Sequence, residues 1–309
     1  MTEQNQTIEQ SVEPGSANEN HERNVRSPIA PQADCEGCGD SGRMAASSMD
    51  STMLPSYVYA IGRVEARFPN LGAEKEFAQA AGRADTAGKT DQQMFSGVLS
   101  QPENRYLVRQ LCWVLSTQGL DSYLLVPRHP LDIGLLVEAI RPQPGPTDID
   151  VVIGLRGPIA APTMCNGLMV PILAFDQIYS FDRDALIKAI PKPAKTATDR
   201  FGPAAEELFN RIMQLTDNAG AADGHRALNY MAMRYPAIYA KAAEEFYLDF
   251  SLTGVEVRPS SMSSTRNIVD IIFAYTNRNT DFTEKFYVRV DVTEEFPFLV
   301  MKLSPYYDR

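Results

Sequence analysis

YVYAIGRVEARF (57–68) alternates between apolar and polar residues. Val58, Ala60, Val64, Ala66 and Phe68 fall on one side, with Gly62 in line, while Arg63, Glu65 and Arg67 share the other. A period of two marks a half-buried β-strand. Pro69-Asn70 ends it, and residues 73–84 predict a helix. A second helix starts at Thr90, with Gln93 at the spacing of a capping box. A third follows Pro102: Leu107, Leu111, Val114 and Leu115 recur at helical spacing, and Gly119 supplies the stop. Cys112 and Trp113 would then sit on that apolar helix.

Farther on, residues 122–126 predict a strand and 131–140 a helix, followed by the loop RPQPGP. Residues 150–155 and 168–175 predict two buried strands, and Asp182 caps a helix running to Ile190. The proline-rich PKPAKTATDRFGP (191–203) has no periodicity and predicts an interdomain linker. Beyond it, residues 204–216 and 223–248 predict amphipathic helices, the second interrupted at Pro236. Residues 267–275, 283–292 and 296–303 predict strands joined by TNRNTD and TEE. In the middle strand Phe286, Val288, Val290 and Val292 point inward, and Lys285, Tyr287, Arg289 and Asp291 outward. The fold class expected is α+β: an N-terminal mixed α/β domain (55–191), then a helical pair packed on a C-terminal antiparallel sheet (204–309).

The chain has 309 residues and a net charge of −10. Residues 1–50 hold nine acids against three arginines, a net of −6, and no aromatic residue. Such a stretch cannot bury enough apolar surface to offset chain entropy, so 1–54 is expected to be a disordered acidic tail. The acidic balance disfavours nucleic acid and anionic membrane as partners. No apolar signal segment begins the chain, no run is long enough to span a bilayer, and four cysteines do not make a disulfide scaffold. A soluble, cytoplasmic protein is expected.

Several letter patterns resemble sites and fail on context. Gly88-Lys89-Thr90 ends like a phosphate-binding loop, but Arg83 stands where the motif needs glycine, and a helix precedes it rather than a strand. A turn and helix cap is the better reading. Gly37, Gly39 and Gly42 match GxGxxG inside a polar tail that offers neither strand nor helix. Asp148 and Asp150 share one side of an extended segment, where a divalent ion could sit, but solvated acids at a strand mouth are the better reading.

Two constellations carry more. His225 and Asn229, and Arg226 and Tyr230, are i,i+4 pairs on one helix. They form either a polar patch for a peptide carboxylate or backbone, or a buried tie between helix and sheet. Cys35-x-x-Cys38 is a metal-like spacing in which two thiolates grip one zinc from a tight turn, though a closed site needs four ligands. Cys112 and Cys165 look like small core residues. No cofactor is expected, with zinc the candidate if one exists.

YVYAIGRVEARFPNLGAEKEFAQAAGR (57–83), RALNYMAMRYPAIYAKA (226–242) and FYVRVDVTEEFPFLV (286–300), preceded by CEGCG (35–39), together resemble the region after the protease in the PatG family of cyanobactin maturation proteases. The likeness spans roughly residues 30–309. It implies a place in ribosomal-peptide maturation, with precursor peptide or modifying enzymes as partners and with self-association as a further option. The Asp/His/Ser set of that family's subtilisin-like domain has no counterpart here, so no catalytic residue carries over. The expected role is an accessory binding or scaffold protein. The alternatives are a peptide-modifying enzyme, zinc-assisted or not, with a pocket between the domains, and a tail that is itself a modified substrate.

Overall fold

The computed structural model describes residues 56–83, 88–190, 198–214 and 217–307. The acidic tail with Cys35 and Cys38 lies outside the described residues, as do 191–197 of the expected linker. The described residues belong to one compact unit. It is α+β, with two sheets and eight α-helices among the described residues.

The first sheet is a closed barrel in the order β1-β2-β3-β5-β4. Its strands are β1 (Tyr57–Arg67), β2 (Cys112–Thr117), β3 (Leu120–Pro127), β4 (Asp148–Ile159) and β5 (Pro171–Asp182). Neighbours run antiparallel except the β3–β5 pair, which is parallel. All five strands contribute to one core, among them Val58, Ala60, Leu115, Tyr123, Leu125, Val152, Leu173 and Phe175. Helices α1 (Leu71–Arg83), α2 (Asp91–Leu99), α3 (Arg105–Gln110) and α4 (Ile133–Ala139) pack into it. Phe68, Phe77 and Phe95 meet there, the last two stacked at 4.5 Å between centroids.

The second sheet is antiparallel, ordered β6 (Phe250–Pro259), β7 (Ile268–Asn277), β8 (Thr283–Asp291) and β9 (Phe298–Pro305). Helices α6 (Thr198–Met213), α7 (Asp223–Arg234) and α8 (Ala237–Tyr247) cover its inner face, after α5 (Arg183–Ala189). Tyr59 and Ile61 of β1, with Val151 and Ile153 of β4, share this core with Leu208, Met231, Ile271, Val288 and Val290. So β1 is buried on both faces along its first half, where the sequence reading expected only one. Alternation shows which residues share a side; it does not show that a second layer of helices covers the other side.

The structure corrects three further expectations. The third helix ends at Gln110, and Cys112–Thr117 is a strand, buried throughout. A continuous apolar run has no period to separate the two forms, and pairing with β1 and β3 settles it. Gly119 is not a helix stop. With Gln118 it forms a two-residue hairpin turn, both at positive φ (53° and 79°), as a primed turn requires. The sheet after α8 has four strands rather than three: β6 escapes the alternation test because its register slips between Leu252 and Gly254. A bulge there moves every later side chain to the other face.

Other elements follow the sequence closely. The capping box at Thr90 and Gln93 is formed in both directions, and Lys89 lies in an exposed turn. Asp182 Oδ1 accepts the amide of Ala185 at 2.7 Å, and Pro236 separates α7 from α8. Helix α6 begins at Thr198, inside the proline-rich stretch, with Pro203 in its early turns. Val288, Val290 and Val292 point inward and are fully buried. Asp291, assigned outward, is buried too: Arg266 Nε reaches its carboxylate at 2.6 Å, and its Oδ1 accepts the amide of Thr293. No described helix is long and apolar enough to cross a membrane.

Candidate functional site

Helix α7 carries His225, Arg226, Asn229 and Tyr230, and the chain brings the last three against β1. Strand β1 pairs with β4 over Tyr57–Gly62 and with β2 only over Arg63–Arg67. Its first half therefore lacks a neighbour on one edge. Buried backbone groups need partners. The Tyr59 amide donates to Gly220 O at 2.9 Å, and Tyr59 O accepts from Asn229 Nδ2 at 2.8 Å. Gly220 takes φ +72°, and a Cβ there would overlap the Tyr59 carbonyl, so this close approach requires glycine. Asn229, 0% exposed, also exchanges hydrogen bonds with Asn218 (2.8 and 3.1 Å).

Arg226 is 2% exposed. Its guanidinium donates to Val292 O at 2.5 Å, to Glu294 O and to Glu295 O, and lies over the Tyr57 ring at 5.3 Å. Burial pushes its pKa below the ordinary arginine value, with Asp223 opposing. Tyr230 sets its ring edge-on to Tyr59 at 6.3 Å. The imidazole of His225 is half-buried, and that desolvation lowers its pKa. Asn229 and Arg226 thus join α7 to β1 and to the β8–β9 loop through main-chain groups.

Asp148 and Asp150 already face a cation: Arg141 stands 3.3 Å from the first and 3.7 Å from the second. Asp150 also accepts from Val64 N and Ser180 Oγ, while Asp148 accepts from Gly145 N. Burial holds the Asp150 pKa above its usual range. Among the described residues no group of three or more His, Cys, Asp or Glu is placed to hold a metal. Cys112 and Cys165 are not separate core thiols. They are bonded to each other, Cα atoms 5.7 Å apart, tying β2 to the β4–β5 connection.

Two features were not assembled from the sequence. Arg128 Nη1 bridges Asp176 Oδ2 (2.8 Å) and Glu295 Oε2 (3.2 Å), joining barrel to β8–β9 loop. Burial and the adjacent Asp176 push the Glu295 carboxyl up to about 7. These residues are far apart in the chain, and no spacing relates them. The second is a cleft of about 580 Å³ over β6–β9, lined by Arg258, Asp270, Tyr287, Arg289, Tyr306 and neighbours. Alternation marked Tyr287 and Arg289 as outward; the bulge hid Arg258.

The PatG domain family model matches residues 57–258. The chain belongs to the PatG domain family. That match covers the barrel, the helical layer and most of β6. A solved structure described as a PatG domain of unknown function superposes with a TM-score of 0.64 at 18% identity, over 81% of this chain and 98% of the other. At that identity the likeness shows the fold. No curated protein matches.

Proposed function

We propose that this PatG-domain chain is an accessory protein of cyanobactin-type ribosomal-peptide maturation that binds precursor peptide and presents it to modifying enzymes. Membership of the PatG domain family carries the reading. The chemistry supports binding over turnover. Arg226 and Asn229 of α7 spend hydrogen bonds on the protein's own backbone, and Asp148 and Asp150 share the Arg141 guanidinium. The outer surface of the second sheet is open to a partner, and there arginines and tyrosines line a cleft of about 580 Å³. Tyrosine and arginine are the residues that most often anchor such contacts. The working place would be the cytoplasm, with neither nucleic acid nor membrane as partner, as the net charge of −10 favours.

The test is reconstitution. Precursor peptide incubated with the chain alone should keep its mass. Processing by the pathway's modifying enzymes should speed up when the chain is added, through a lower KM. A mass change produced by the chain alone would establish an enzyme instead. Unaltered kinetics at saturating chain would remove the accessory role.

A further inference from the structure

A cross-strand row runs over the outer face of the second sheet. Arg258 on β6 is register partner of Asp270 on β7, Asp270 of Arg289 on β8, and Arg289 of Met301 on β9. One carboxylate thus stands between two guanidiniums, and it is not shared equally. Arg289 takes both oxygens of Asp270, Nε to Oδ1 at 2.6 Å and Nη2 to Oδ2 at 3.1 Å. Arg258 is left with the Tyr306 hydroxyl at 2.5 Å and the face of the same ring at 5.0 Å. Among the described residues no carboxylate lies within ion-pair distance of it, and Glu256 and Asp270 act on it only from farther off. The row carries a charge of +1 at the wall of a cleft of about 580 Å³.

Contact with an aromatic face holds a guanidinium plane; Arg258 commits one Nη2–H to the Tyr306 hydroxyl, and its remaining N–H groups are of the kind that pair with a carboxylate. The rest of the cleft suits the chain that would bear such a group. Tyr287 and Tyr306 meet edge-to-face at 5.7 Å, and exposed Tyr307 and Met262 extend the apolar wall. A free phosphate would use the guanidinium and leave the tyrosines without contact. A peptide uses both.

We propose that Arg258 is the anchor of a carboxylate-recognition site in this cleft, which takes a peptide through an acidic side chain or a free C-terminus. The proposal rests on the peptide-binding reading above and names where the contact is made. Asp270 has a positioning role: both its oxygens bond Arg289, which leaves Arg258 without a directly bonded carboxylate.

The experiment is calorimetry of the full chain with short tyrosine-containing peptides in four forms: Glu or Gln at one position, each with a free or an amidated C-terminus. Binding by the amidated Glu peptide and not its Gln twin assigns the site to acidic side chains. Binding by the free-acid Gln peptide and not its amide assigns it to C-termini. In either case Arg258→Met should lose about tenfold or more in affinity, the scale of one charge-assisted pair, with an unchanged melting temperature. If Arg258→Met does not fold, Arg258→Lys keeps the charge, loses the fork and should still cost several-fold. Equal binding of all four peptides, none by any, or full affinity in the arginine variants would overturn the site. Short peptides that bind where whole precursor does not would leave this site standing and remove the accessory role.

Discussion

Asn229 of α7 donates its side-chain amide to the carbonyl of Tyr59 on β1 at 2.8 Å, across 170 residues of sequence. The bond closes a gap in the barrel edge that β2 does not reach. Replacing Asn229 by leucine keeps the branched heavy-atom skeleton and orphans Tyr59 O and the Asn218 amide, at about 1–3 kcal/mol for each buried group. Urea unfolding should therefore show a clearly lower midpoint. An unchanged midpoint with weakened peptide binding would make Asn229 a ligand contact rather than a tie.

The Asp176–Glu295 pair makes stability depend on pH in a stated direction. Glu295 is raised to about 7 in the folded chain, so the native state binds a proton that the unfolded chain releases from about 4.5 upward. Its contribution is greatest below that range and declines as pH rises to about 7. Asp176, lowered by Arg128 and by its bond to Glu295, contributes in the opposite sense and only under more acid conditions. Arg128, Asp176 and the nearby Arg226 are the charged groups facing Glu295. Glu295→Gln should flatten the decline between pH 5 and 7.5 (about the span of the shift), read as melting temperature against pH. A parallel pair of curves would show that Glu295 titrates normally.

The Cys112–Cys165 bond closes a loop of sequence separation 53 and pins the β4–β5 connection over a small cluster of Val114, Leu124 and Ala160. Cross-links of that loop length contribute about 2–4 kcal/mol. Oxidised protein should melt higher than reduced protein, and the difference should vanish in a Cys112→Ala/Cys165→Ala variant. Free-thiol titration under oxidising conditions that still counts both cysteines would contradict the pairing.

Val290 is 0% exposed in the core that joins the second sheet to α6, α7 and α8. Val290→Asp would bury an unpaired charge and should cost several kcal/mol, enough to abolish cooperative melting. Native-like melting in that variant would show that the strand faces the other way.

Local signals carried most of the elements. Thr90 with Gln93, Asp182 and Pro236 each act through neighbours a few residues away, and each does in the structure what its position implies. Val288, Val290 and Val292 were legible for the same reason. Misreadings arose where a distant partner decides the outcome. Leu111–Leu115 is uniformly apolar, so only pairing with β1 and β3 distinguishes strand from helix. The bulge at Thr253 removed the period from β6 and, with it, Arg258 from view. Arg226 and Asn229 stood out as a polar cluster, but their partners, Val292 O in the β8–β9 loop and Tyr59 O on β1, are ones that no spacing along α7 could indicate.

Titration of the full chain with whole precursor peptide, followed by mass spectrometry of the recovered peptide, tests the accessory-binding account most directly. The account predicts a saturable heat that weakens in Arg258→Met and a peptide recovered with its mass unchanged. A peptide returned with altered mass, or no heat at any concentration reached, would contradict it.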